Sequence, residues 1–196
     1  QLGRLDALPR FRSFVKVGAF TSYDRTGGND DGINGTYSFI RKEGDALVIA
    51  ELEGPGVIWR VWTPTPTDDL MEFYFDGETK PRLQIKFSDL FTGTQAPFLK
   101  PLVDAGAGGF FSYVPMPFSK GCKVLFRGPR LRFYQINYAL YEPGAQVSTY
   151  PPSESDLKAA RELLGANPRD LGRFHVGDTT RLRRVERQHS LAPGKT

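Results

Sequence analysis

From Ala46 to Tyr141 the chain alternates apolar and polar residues with a period of two, interrupted by glycine- and proline-rich turns. Ala46–Glu53 places Val48, Ala50 and Leu52 on one face and Glu51 and Glu53 on the other. Gly54-Pro55-Gly56 breaks the run. Val57–Thr63 then reads as a strand whose Trp59 and Trp62, an odd number of residues apart, fall on opposite faces, which sends one of them to the core. Leu70–Asp76 follows, with Met71, Phe73 and Phe75 inward and Asp76-Gly77 as a turn signal. Further strands are predicted at Arg82–Phe87, Phe110–Pro115, Lys123–Arg127 and Arg132–Tyr141. Short strands of this kind, about eight in all, predict an all-β fold: an antiparallel sandwich or jelly roll.

Helical signals are confined to the two ends. Leu2, Leu5, Leu8 and Phe11 recur at intervals of three and predict a short helical N-terminus interrupted by Pro9. Near the C-terminus Ser153 is placed to cap a helix with Asp156 three residues on. Leu157, Ala160 and Leu164 line its apolar face, and Gly165 and Pro168 close it. The expected organisation is a jelly-roll domain over 1–145 and a helical, Arg-rich connector over 146–196. The final Leu191–Thr196 reads as the approach to a further strand, in a second jelly roll supplied beyond Thr196 or by another chain.

Composition narrows the picture. A chain of 196 residues suits one well-covered core, and its 39% hydrophobic and 24% charged content is that of a globular protein, not a disordered one. The 21 Gly and 15 Pro favour short strands over long helices. Net charge is +4, and the excess sits largely in Arg169, Arg173, Arg181, Arg183, Arg184 and Arg187, away from the aromatic strands. A nucleic-acid reader places aromatic platforms beside its basic stripe, so no nucleic-acid partner is expected. No apolar run approaches the length that spans a bilayer, so no membrane helix is expected. Cys122 is the single cysteine, which forbids an intrachain disulfide; it reads as a small core residue, and the cellular compartment stays open. His175 and His189 are too few for a multi-histidine metal centre. The chain opens on Gln1, without a signal-peptide pattern, and reads as processed, trimmed or cut from something longer.

The densest chemistry lies in Ser22-Tyr23-Asp24-Arg25-Thr26-Gly27-Gly28-Asn29-Asp30-Asp31-Gly32, which holds three carboxylates, a guanidinium, a carboxamide and a phenol but no aliphatic side chain. Burying such a segment in a core would be costly. Three readings stand. Asn29, Asp30 and Asp31, with Asn34 beyond, offer hard oxygen ligands that suit calcium, without the full spacing of a calcium loop. The same Asp and Asn oxygens accept sugar hydroxyls while Arg25 donates. A solvated loop of turns and caps accounts for the composition as well. Trp59 or Trp62 would make a platform for a sugar ring. Glu51 and Glu53 lie about 7 Å apart along a strand, a spacing from which a glycosidase pair could be built, although paired strand glutamates are more often a wet sheet face. Glu72 and Asp76 share a face in the same way, and no phosphate loop, zinc spacing or serine elbow is present.

The polar loop, together with Gly54-Pro55-Gly56-Val57-Ile58-Trp59-Arg60-Val61-Trp62, Phe73-Tyr74-Phe75-Asp76-Gly77-Glu78 and Tyr113-Val114-Pro115-Met116-Pro117-Phe118-Ser119-Lys120, resembles glycoside hydrolase family 172 in order and spacing, from about Leu2 to about Tyr141. The resemblance implies two successive jelly rolls, of which this chain is the first. It implies retaining cleavage of α-linked fructofuranosides or arabinofuranosides by two glutamates of the second roll. The Gly-Thr-Gly-Thr-Glu-Asp-Tyr-like block that carries one of them is missing here. What is expected of this chain is therefore substrate binding through Tyr23, Asp24, Arg25, Asn29, Asp30, Asp31 and Trp59, with no catalytic residue and no obligatory cofactor; the alternative is a non-catalytic carbohydrate-binding or structural jelly-roll module. The implied partners are an oligosaccharide, a second jelly roll, and copies of the chain in a homotrimer or larger assembly whose pockets the polar loop completes.

Overall fold

A computed structural model describes residues 12–165 and 185–188. Two antiparallel sheets pack face to face, as the period-two pattern requires when each sheet has one apolar side. One sheet runs β1 (Lys16–Thr21), β11 (Gln135–Leu140), β4 (Gly56–Thr63), β8 (Gly109–Ser112) and β7 (Val103–Gly106), with β9 (Met116–Phe118) paired to the first part of β4. The other runs β2 (Arg41–Glu43), β3 (Ala46–Glu53), β10 (Gly121–Arg127), β5 (Leu70–Phe75) and β6 (Leu83–Lys86). This is the expected antiparallel jelly-roll sandwich. The seven predicted strands are all present, Ala46–Glu53 to the residue. β1, β2, β7 and β9, and the single-turn helix α1 (Asp89–Thr92), were not predicted.

Between the sheets lies an aromatic core. Phe73, Phe75, Phe87, Phe98, Phe118 and Phe126 are all at most 1% exposed, and Phe87 meets Phe91 and Phe126 edge to face at 5.6 and 6.1 Å. Each such ring contributes about 1.5–3 kcal/mol by leaving water. Cys122 is buried here as expected, and desolvation drives its thiol pKa well up, so it is an inert apolar side chain.

Helix α2 (Glu154–Gly165) begins as predicted, with the Asp156 N–H donating to Ser153 Oγ at 3.2 Å. Leu157 and Ala160 are buried in the main core, but Leu164, expected on the same face, is 38% exposed because the helix leaves the sandwich in its last turn. The segment before it is pinned firmly. Tyr150 stacks on Phe75 at 5.4 Å, its carbonyl accepts from Arg82 Nη1 at 2.8 Å, and its N–H donates to the Pro117 carbonyl at 2.8 Å. The helical turns expected over 2–11 and the basic cluster from Arg169 to Arg184 lie outside the described residues.

Two β-bulges change which side chains face out. In β4, Ile58 pairs with Tyr138 but Arg60 pairs with Asn137, which leaves Trp59 as the extra residue. The bulge lies where the edge of β4 passes from β9 to β8. Ile58 and Val61 are consequently both buried, at 0% and 1% exposure, and Trp59, Arg60 and Trp62 all lie on the outer face. The expected split of the two tryptophans across the sheet therefore fails: neither belongs to the core. In β3 the register shifts at Ile49, so Leu47, Ile49, Ala50 and Leu52 point inward, whereas Val48 joins Ala46 and Leu125 in a small outer cluster. The predicted common face of Val48, Ala50 and Leu52 is corrected accordingly.

Candidate functional site

The polar loop leaves the end of β1 and folds back on itself through its own carboxylates. Asp24 is buried, and its Oδ1 accepts from the Thr26 N–H at 2.9 Å and the Thr26 hydroxyl at 2.6 Å, while Oδ2 accepts from the Asp30 N–H at 3.3 Å. The Thr26 side chain is the main reason that its pKa lies below the usual carboxylate value. Asp30 accepts from the Asn34 N–H at 2.7 Å and the Thr36 N–H at 3.2 Å, and these bonds, led by Asn34, lower its pKa too. Asp31 Oδ1 receives the Asp24 N–H at 2.7 Å from a backbone at φ 37°, a region that Asp tolerates better than most residues. A Cβ at Gly28 would stand 2.4 Å from Asp24 Oδ2, so a side chain there would have to displace that carboxylate. The turn-and-cap reading thus describes most of the aspartate oxygens. Among the described residues no three His, Cys, Asp or Glu side chains group as metal ligands would, so the calcium reading gains no support.

What the loop turns outward is narrower than its composition. Tyr23 is 54% exposed, and Asn29 and Asp31 are exposed. Arg25 lies over the Tyr23 ring at 4.7 Å and donates to the carbonyls of Tyr37 at 2.5 Å and Thr21 at 3.2 Å. Its guanidinium therefore ties the loop to the end of β1 and holds the phenol in place. Arg130 and Arg132 both reach the Ile33 carbonyl, at 2.9 and 3.0 Å. Of the seven residues expected to bind substrate, Tyr23, Asn29 and Asp31 are presented to solvent. Asp24, Asp30 and Arg25 support them from beneath, and Trp59 stands on the neighbouring sheet face.

That face continues from the loop in register. Thr21, the last residue of β1, pairs with Gln135, which pairs with Trp62, which pairs with Phe111. All four point outward along one line across the sheet. The loop also seats against this end: Ser22 Oγ donates to the Asp31 carbonyl at 3.2 Å, Gly32 approaches Phe133, and the Phe133 carbonyl accepts from Thr63 Oγ1 at 2.7 Å. One strand step away, Arg60 Nη1 donates to Gln135 Oε1 at 2.9 Å and Asn137 Oδ1 at 3.0 Å, and its guanidinium lies 5.9 Å from the Trp62 ring centroid. Trp59, Arg60 and Trp62 stand out as a group in the sequence, whereas Gln135 and Asn137, which join Arg60 here, were not anticipated as site residues. Their grouping depends on the β4 bulge, which a period-two pattern cannot reveal.

Glu51 and Glu53, weighed as a carboxylate pair, stand on the opposite outer face, beside a shallow trough of about 490 Å³ that also takes in Tyr74, Asp76, Lys120 and Lys123. Arg41 grips Glu51 with two nitrogens, at 2.5 and 3.0 Å, and lowers its pKa. A glycosidase acid needs the reverse shift. The rest of this face is likewise cross-linked, by Lys123 to Glu43 at 2.9 Å and Arg127 to the buried Glu72 at 2.8 Å. Asp76, also in the trough, accepts from the N–H groups of Ser119, Lys120 and Gly121 and the hydroxyls of Ser119 and Thr149. Burial works against its charge, yet these donors bring its pKa down to about 2. It is a brace between chain segments.

A family model described as GH172 first beta-sandwich domain matches residues 13–158. No curated protein matches the chain.

Proposed function

Because the chain belongs to the family of GH172 first beta-sandwich domains, and so to a glycoside hydrolase family, we propose that it is the substrate-holding part of an enzyme acting on α-linked furanosides. Cleavage is assigned to two glutamates of a second jelly roll, one attacking the anomeric carbon and the other protonating the leaving oxygen and then activating water. This chain orients the sugar. The observation that supports the reading is the polar loop itself: its inner aspartates are spent on holding a shape, which leaves Tyr23, Asn29 and Asp31 at its surface. The Asp31 carboxylate and the Asn29 carbonyl accept hydroxyl protons, the Asn29 amide and the Tyr23 phenol donate to hydroxyl oxygens, and a mixed set of this kind suits a neutral polyol better than an anion. In the assembled enzyme the loop of one protomer completes the pocket of a neighbour within a trimer or larger ring.

The test uses Asp31→Asn in the full-length enzyme. Asn retains the Oδ1 that receives the Asp24 N–H and tolerates the positive φ, so the loop keeps its form while losing the outward charge. A drop of at least tenfold in kcat/KM on an aryl α-furanoside is expected. Unchanged kinetics would take the loop out of the site, and turnover by the 196-residue chain alone would overturn the division of labour between the rolls.

A further inference from the structure

Trp59 and Trp62 are the chain's only tryptophans, and the β4 bulge puts both on the outer face of the six-stranded sheet, apart from the core cluster. The Trp62 indole lies flat. Its Nε1 and neighbouring ring atoms run so close over Gly109 that a Cβ there would stand 2.2 Å from Nε1, so the absence of a side chain at 109 is what lets the ring rest on the sheet. Arg60 beside it has no carboxylate partner among the described residues. Its held nitrogen goes to two neutral amide oxygens, which turns the amide nitrogens of Gln135 and Asn137 away from it, free to donate. From Thr21 to Phe111 the row crosses three inter-strand intervals, about 14 Å, which is longer than one sugar ring.

Building on the sugar-binding role proposed above, we propose that this face is an extended subsite: a furanosyl residue beyond the one at the polar loop stacks on Trp62, and its hydroxyls take hydrogen bonds from Arg60, Gln135 and Asn137. The ligand is thus a neutral oligosaccharide of at least two residues, lying across β1, β11 and β4. A flat ring supplies the stacking surface, and donors without counter-charges supply the orientation.

Tryptophan emission reports this face alone. The chain is titrated with methyl α-arabinofuranoside and with an α-arabinofuranosyl tetrasaccharide, and with the fructofuranosyl counterparts. The expected result is at least tenfold tighter binding of a tetrasaccharide, accompanied by a blue shift. Trp62→Ala is expected to remove that advantage and leave the methyl glycoside bound as before. Gly109→Ala, which lifts the ring without deleting it, and Trp62→Phe, which preserves packing, should reduce the advantage in part. Equal affinity for both lengths, or a length advantage retained in Trp62→Ala, would overturn this subsite while the loop reading stands. Failure of every glycoside to bind would overturn both. A blue shift that grows with protein concentration and ignores sugar would also overturn it and make the face a contact between copies of the chain.

Discussion

Asp76→Asn isolates the contribution of one charge to the fold. Asp76 sits at φ 53°, closing β5, and collects donors from the β9–β10 turn and from Thr149 in the segment that leads to α2. Three of these donors are backbone N–H groups. Asn tolerates the left-handed backbone as well as Asp does, so the substitution leaves the turn unstrained. It replaces an ionised acceptor with a neutral one and sets an NH₂ against donors. The pKa of Asp76 falls from 3.8 to about 2, and each pKa unit corresponds to about 1.4 kcal/mol. Discounted for the partial exposure of the side chain, the charge is worth about 1–2 kcal/mol.

The sign follows from which state binds the proton more tightly. The unfolded chain takes it up first as pH falls, so the stabilisation is fully present above about pH 4 and disappears as pH drops through about 2. Thermal unfolding followed by circular dichroism should place Asp76→Asn about 2–8 °C below the wild type at pH 7, given about 2–4 °C per kcal/mol for a chain of this size. The two melting curves should draw together as pH falls through about 2. A melting temperature within 1 °C of wild type at pH 7, or a gap that stays constant down to pH 2, would refute the reasoning.

Leu157 is the buried anchor of α2, and Leu157→Ala should cost about 2–4 kcal/mol in chemical denaturation and raise hydrogen exchange through 154–165 before the strands. Arg127→Met strands the 3%-exposed Glu72 with only Tyr74 and Gln84 as partners and should cost about 3 kcal/mol, whereas adding Glu72→Gln should restore much of the loss. Ser153→Ala removes the N-cap and should cost about 1 kcal/mol, seen as faster exchange at the Asp156 amide.

Central strands were legible because both neighbours and a full apolar face constrain them. The bounds of β3, β4, β5 and β10 lie close to the predicted ones, and those of β3 coincide with them end to end. The unpredicted strands lie at sheet edges or are very short. β1 carries Gly18 under the Tyr138 ring and leaves Val17 75% exposed, and β7 and β9 are interrupted by glycine or proline. An edge strand obtains its pairing from a neighbour and need not advertise it in its own side chains. Inside the strands the bulges were the obstacle: one extra residue reverses the phase across it, so Trp62 shares a face with Trp59 and Val48 parts from Ala50 and Leu52. At the site, the loop's position was legible from its polarity and glycines. Its division into bracing and outward-facing residues was not, because Asp24, Asp30 and Asp31 have similar sequence surroundings and are separated only by which N–H groups come within reach.

The two outer faces of the sandwich differ in a way that bears on where a ligand is held. On the five-stranded sheet Arg41, Lys123 and Arg127 all end on carboxylates, and Tyr74 and Gln84 close the remaining oxygens of Glu72. A sugar arriving there would have to break charge-assisted bonds in order to make neutral ones, an exchange that loses free energy. On the six-stranded sheet Arg25 donates to the carbonyls of Tyr37 and Thr21 and Arg60 to the amide oxygens of Gln135 and Asn137, and neither ends on a carboxylate among the described residues. Hydroxyls gain bonds at that face without breaking ion pairs. The asymmetry favours the loop-bearing sheet as the sugar-holding side proposed above, and it follows from where the bulge sets Arg60 and Trp62 relative to Gln135 and Asn137.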